Sequence, residues 1–80
     1  YIYKSGLIVA RTLSGLYVAV SAACTHEGTN VKFEGSNNRF HCPTHNSNFS
    51  TSGTVLSGPA NKSLKQYHTS LNGTSLRVYS

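Results

Sequence analysis

Apolar residues in this sequence recur mainly at every second position, and no window carries a convincing helical period. A chain patterned this way must build its core from strands. "GLIVART" (6–12) and "LYVAVS" (16–21) are two β-rich runs separated by Leu13, Ser14 and Gly15, a hairpin signal. In "VKFE" (31–34), Val31 and Phe33 alternate inward against Lys32 and Glu34 outward. "GSNN" (35–38) turns the chain and "RFH" (39–41) returns it. "LKQYHTS" (64–70) and "SLRVYS" (75–80) flank "LNGT", where Asn72-Gly73 predicts a type I′ turn because both residues tolerate positive φ. "SGPA" (57–60) breaks any strand that would run through it. The expectation is one all-β domain of short antiparallel strands over residues 1–80, with no linker and no repeat.

Eighty residues bury only roughly 60% of the surface that the unfolded chain exposes. Scaffolds of this size usually need a disulfide, a metal or a partner as reinforcement. With three phenylalanines, five tyrosines and no tryptophan or methionine, the core must be thin. A bound inorganic centre would therefore serve stability as well as function.

Seven Lys/Arg face two Glu, giving a net charge of +5. Such a balance suits a nucleic acid, an acidic membrane surface or an acidic protein. Yet Lys4, Arg11, Lys32, Arg39, Lys62, Lys65 and Arg77 are spread singly, and no basic run interleaves with aromatics as a stacking platform requires. Nucleic acid is not expected as a partner; the scattered charge reads as a solvated face that favours acidic docking partners. No stretch approaches the ~18 apolar residues of a membrane span. Tyr1 rather than methionine stands first, so the sequence reads as trimmed or processed, and an upstream signal or membrane tether stays open. Three matches to the glycosylation acceptor pattern, at Asn48, Asn61 and Asn72, are expected by chance in so Ser/Thr/Asn-rich a chain. That composition and the low charge lean toward an exported, periplasmic bacterial location, with a cytoplasmic one the alternative.

Against this background "CTHEGT" (24–29) and "CPTHNS" (42–47) stand out. Each follows a predicted strand, each offers one cysteine and one histidine, and the 31–41 hairpin between them could set the loop starts side by side. A Cys24–Cys42 disulfide suits an exported protein of this size but leaves His26 and His45 unexplained. A structural zinc accepts two thiolates and two imidazoles, although zinc fingers group Cys with Cys and His with His. A [2Fe–2S] cluster with histidines replacing two cysteines on one iron needs this donor set too.

The two boxes, in order, with "FSTSGTVLSGPA" (49–60) behind them, closely resemble the Rieske iron–sulfur family. Gly53, Val55, Gly58 and Pro59 stand in family positions, and the resemblance runs from about Val18 to the end. It implies a Rieske-like fold with a two-loop cluster-binding subdomain and one-electron transfer rather than enzymatic catalysis. It also implies Cys24 and Cys42 on a buried iron and His26 and His45 on the outer one, at a solvent edge where redox and proton binding would couple. Gly58, Pro59 and Ala60 resemble the family's proline loop, a lid that the proline stiffens. Ser47 stands where a serine hydroxyl bonds a bridging sulfide in high-potential relatives. Phe49 stands where a tyrosine usually bonds a cysteine sulfur, so an intermediate potential is expected.

Many respiratory and photosynthetic relatives join an extra cysteine in each box. Thr29 and Thr44 occupy those positions here, so that brace cannot form. Its absence counts against a quinol-oxidising role and predicts loops that loosen when the cluster is lost. Asn46 replaces a common glycine, tolerably, since Asn accepts left-handed angles. His41 and His68 read as surface or packing histidines, and Glu27 as a loop carboxylate near a docking surface. The implied partners are a redox protein donor and acceptor, such as a cytochrome or an oxygenase. The alternatives are the cluster domain of a quinol-oxidising membrane complex and, outside redox chemistry, a zinc-stabilised binding module.

Overall fold

The computed structural model describes residues 1–25, 28–44 and 46–80. His26, Glu27 and His45 lie outside the described residues. Among the described residues nine strands form two antiparallel sheets: β1 (Ile2–Lys4), β2 (Leu7–Arg11), β3 (Tyr17–Ser21), β4 (Lys32–Glu34), β5 (Arg39–His41), β6 (Asn48–Phe49), β7 (Val55–Ser57), β8 (Gln66–Asn72) and β9 (Ser75–Tyr79). The first sheet runs β1-β2-β3-β8-β9 and the second β4-β5-β6-β7.

The β2–β3 hairpin shows how alternation becomes a core. Its register sets Ile8 opposite Val20 and Ala10 opposite Val18 on the inner face. The intervening row leaves Arg11 opposite Tyr17, with the guanidinium 5.9 Å from the ring centroid. In the second sheet Phe33, Phe40, Phe49 and Val55 stand in one row across four strands. Phe40 and Phe49 are fully buried, and Phe33 meets Phe40 edge-on at 5.2 Å. Each fully buried ring contributes about 1.5–3 kcal/mol. The two sheets share this core with Val31, Leu64, Ala60 and both cysteines. Tyr3 Oη donates to Val31 O (2.6 Å) and Leu13 N to Asn38 Oδ1 (3.0 Å), tying one sheet to the other.

The expected hairpins form, with shifts that have physical causes. The 64–70 run pairs only from Gln66, because Leu64 is drawn inward to the core. At the last turn Asn72 pairs with Ser75, so Gly73 and Thr74 are the turn residues. Gly73 has φ 64 and Thr74 is not left-handed, which fits a type II′ pattern rather than the expected type I′. β1, β6 and β7, of three, two and three residues, are additions to the strands expected from the sequence.

The β4–β5 turn is a 3₁₀ turn at Gly35–Asn37, closed by Asn38 at φ 52. Beside it Arg39 Nε donates to Glu34 Oε1 at 2.8 Å. The Arg39 hydrogen bond, followed by smaller contributions from Asn37 and neighbouring positive charge, outweighs partial desolvation and holds the Glu34 carboxyl below its ordinary pKa. A depressed folded pKa stabilises above the unfolded value and loses that contribution as pH falls through the folded one. Glu34→Gln should therefore lower neutral-pH stability slightly and flatten the acid-side loss, which thermal melts from pH 7 to pH 3 would register.

Candidate metal centre

The two Cys/His boxes fold into equivalent turns. In the first, Cys24 N donates to Thr29 O (2.7 Å) and Gly28 N to Cys24 O (2.7 Å). In the second, Cys42 N donates to Ser47 O (2.8 Å) and Asn46 N to Cys42 O (3.0 Å). Each pattern links the cysteine to the residues four and five places on. The fourth residue is left-handed in both: Gly28 at φ 77 and Asn46 at φ 61. Asn at the second position is thus tolerated in the conformation that the sequence required of it.

Three ties hold the turns to one another and to the 53–64 segment. Thr44 Oγ1 donates to Thr29 Oγ1 at 3.1 Å, joining the boxes at the positions where a disulfide brace is missing. Thr25 Oγ1 donates to Lys62 O at 2.6 Å. Ala60 N donates to the buried Ser47 Oγ at 3.1 Å. The base of the 53–64 segment is closed by Leu64 N to Gly53 O at 2.8 Å, with Gly53 at φ 89. A single exposed hydroxyl pair contributes about 1 kcal/mol. Thr29→Val should therefore hasten iron release to a chelator roughly fivefold. An unchanged release rate would mean the Thr pair does not brace the loops.

Cys24 and Cys42 are 3% and 1% exposed, lie in one core cluster and are not bridged by a disulfide. The disulfide reading of the sequence therefore does not describe this fold. Ser47 and Phe49 are fully buried beside them in the chain. Gly58 and Pro59 lie at the surface. Gly58 nonetheless packs its backbone on the second box: a Cβ there would come within 2.4 Å of Ser47 Cα and 2.9 Å of Asn46 O. The proline segment thus covers the second box. His41, half-buried, bonds Asn48, whereas His68 is exposed on β8 with its ring 5.4 Å from that of Tyr79 and tilted 32° to it: one packing and one surface histidine. His26 and His45, the expected imidazole ligands, lie outside the described residues, as does Glu27.

The Rieske [2Fe-2S] domain family matches residues 1–68. The chain belongs to that family. Among its relatives, the cytochrome b6-f complex iron-sulfur subunit of Chlorobaculum thiosulfatiphilum is 35% identical over 76 residues, covering 95% of this chain and 42% of that subunit. The corresponding subunit of Trichodesmium erythraeum is 40% identical over 57 residues, 71% of this chain and 32% of that subunit. The chain thus spans less than half the length of these curated relatives. Among solved structures, the cyanobacterial plasma membrane Rieske protein PetC3 from Synechocystis PCC 6803 superimposes with a TM-score of 0.77 at 32% identity, covering 94% of this chain and 87% of that one.

This Rieske domain is an electron-carrier module whose cofactor is a [2Fe–2S] cluster. The described residues fit such a group. Two buried cysteines of one core cluster open two equivalent turns, the donor chemistry that one iron of the cluster takes from its protein. Ser47 Oγ accepts from Ala60 N, which leaves its hydroxyl hydrogen to donate. The sequence signalled the cysteines, Ser47 and the proline segment. It gave no sign of Thr25, Asn48 or Ser57, whose partners lie 37, 7 and 9 residues away.

Proposed function

We propose that Cys24 and Cys42 hold one iron of the cluster and His26 and His45 the other. We also infer that the domain passes single electrons between redox proteins of a membrane complex. The observation that carries the ligand assignment is the equivalence of the two cysteine turns, buried together and tied to each other by Thr29 and Thr44. When bound, the cluster supplies a one-electron acceptor that mixed thiolate and imidazole ligation makes easier to reduce than an all-thiolate one. The chain's own residues do the rest. The apolar surroundings of Cys24 and Cys42 keep water from the sulfur side, and the 53–64 segment covers the second box. The Ser47 hydroxyl hydrogen, left over by the bond from Ala60 N, would be available to donate to the bound cluster and so to stabilise its reduced, more negative state.

The membrane-complex setting is supported by the b6-f subunits among the relatives. A free-standing carrier for a cytochrome or an oxygenase is the second reading. The threonine pair at the brace positions and Phe49 at the tyrosine position favour it. The seven cations suit acidic docking partners in either case. An exported bacterial location accords with the low charge, 11% of residues.

Iron and acid-labile sulfide analysis, with the paramagnetic-resonance spectrum of the reduced protein, tests the ligand assignment. A zinc-loaded, iron-free protein would end it. A hydrogen bond to a charged group contributes about 1.5–3 kcal/mol. At 59 mV per decade for one electron, Ser47→Ala should lower the midpoint potential by roughly 60–130 mV. A potential identical to the parent's would remove Ser47 from the site.

A further inference from the structure

The second sheet has two faces, and its outer one carries a polar row that no expectation included. His41 stands opposite Asn48, and Asn48 opposite Ser57, on three adjacent strands. The register needs a β-bulge: between Asn48 and Phe49 the partner strand advances from Ser57 to Val55, so Leu56 is the extra residue. Without the bulge, the Phe49–Val55 pair would set Leu56 rather than Ser57 opposite Asn48. Asn48 Oδ1 lies 2.7 Å from His41 Nδ1, while Asn48 Nδ2 donates to Ser57 Oγ at 3.0 Å and, at longer range, to Asn46 O at 3.4 Å. This pattern fixes the carboxamide orientation, since the reverse would set its oxygen against the Asn46 carbonyl. His41 is then the donor through Nδ1–H.

Each member of the row is the chain neighbour of a site residue: His41 of Cys42, Asn48 of Ser47, Ser57 of Gly58. Asn48 also reaches the Asn46 carbonyl, and Gly58 packs on the same Asn46–Ser47 peptide from the lid side. We propose that Asn48 is a positioning residue that, with His41 and Ser57, locks the Asn46–Ser47 peptide against the lid and so aims the Ser47 hydroxyl at the cluster. The inference rests on the reading of Ser47 given above. Asn48 need not touch the cluster to affect it. It acts by holding the second box and the lid strand in one register, which keeps Ser47 Oγ where Ala60 N reaches it.

The test is a double-mutant cycle on the cluster-loaded protein. Asn48→Ala should shift the reduction equilibrium roughly threefold toward the oxidised form, about 28 mV downward at 59 mV per decade. In a Ser47→Ala background the same change should leave the potential unmoved. Hydrogen exchange over residues 58–61 should quicken in Asn48→Ala, while β2 and β3 keep their protection. Ser57→Ala should act in the same sense with a smaller shift. If Asn48→Ala does not hold its cluster, the Ser57→Ala cycle decides by the same criteria. An unmoved potential, or an equal fall in both backgrounds, overturns the proposal. If Ser47→Ala alone leaves the potential unchanged, the reading of Ser47 fails, while the exchange measurement still judges the lock between box and lid separately.

Discussion

Cys42→Ala should yield colourless, iron-free protein, the largest single effect expected of any substitution in this chain. Cys42 is buried, its amide and carbonyl close the second box turn, and its sulfur is one of the two thiols in the core cluster. With one thiolate gone, an iron has lost a ligand for which no described neighbour can substitute in place. Alanine keeps the backbone hydrogen bonds and removes only the sulfur, so the lost colour reports ligation rather than misfolding. Far-ultraviolet circular dichroism should still show the β-sheet, at lower thermal stability, because cluster binding is also folding energy. Full iron and sulfide content in purified Cys42→Ala would remove the cysteine from the centre.

Gly58→Ala should cost roughly 2–5 kcal/mol of stability and loosen the lid. Gly58 has φ 98, outside the range that L residues adopt at low cost, and its missing side chain leaves room for Ser47 Cα, which an added Cβ would approach to 2.4 Å. Backbone strain and overlap add, and neither can be relieved by turning a flexible side chain, because the obstructing atoms are main chain. An 80-residue domain has on the order of 4–12 kcal/mol in total, so this is a large fraction. At about 4–8 °C per kcal/mol the melting temperature should fall by roughly 8–40 °C. The same displacement should weaken the Ala60–Ser47 hydrogen bond and lower the midpoint potential. A Gly58→Ala protein with parental melting temperature and potential would show that the lid does not press on the second box. Gly6→Ala is the control: it shares the positive φ, at 78, but has open space around it and should cost only the backbone strain.

Much of the site was legible because it is local. A Cys–His box is a turn of six residues, and the two turns close through bonds between residues four and five apart. Such short-range geometry is written in composition: Gly28 and Asn46 can both take left-handed angles, and each stands where its turn needs one. The β2–β3 hairpin and the 31–41 hairpin were legible for the same reason, since side-chain alternation and turn residues act within a few positions. The last hairpin was legible in kind but not in register, because either Asn72-Gly73 or Gly73-Thr74 could provide a two-residue turn. Pairing across the flanking strands chose the second.

What the sequence determined by itself was the all-β character and the two Cys/His boxes, functions of residue type and spacing over a few positions; the lid was legible only through the family resemblance that the boxes carry. Only the folded chain decided that Thr29 meets Thr44, that Thr25 reaches Lys62, and that a bulge at Leu56 brings Ser57 opposite Asn48. Those contacts join segments 9 to 37 residues apart, and each depends on strand register. Register is a collective outcome of burying Phe40, Phe49 and Val31 together, and no single stretch of residues contains it.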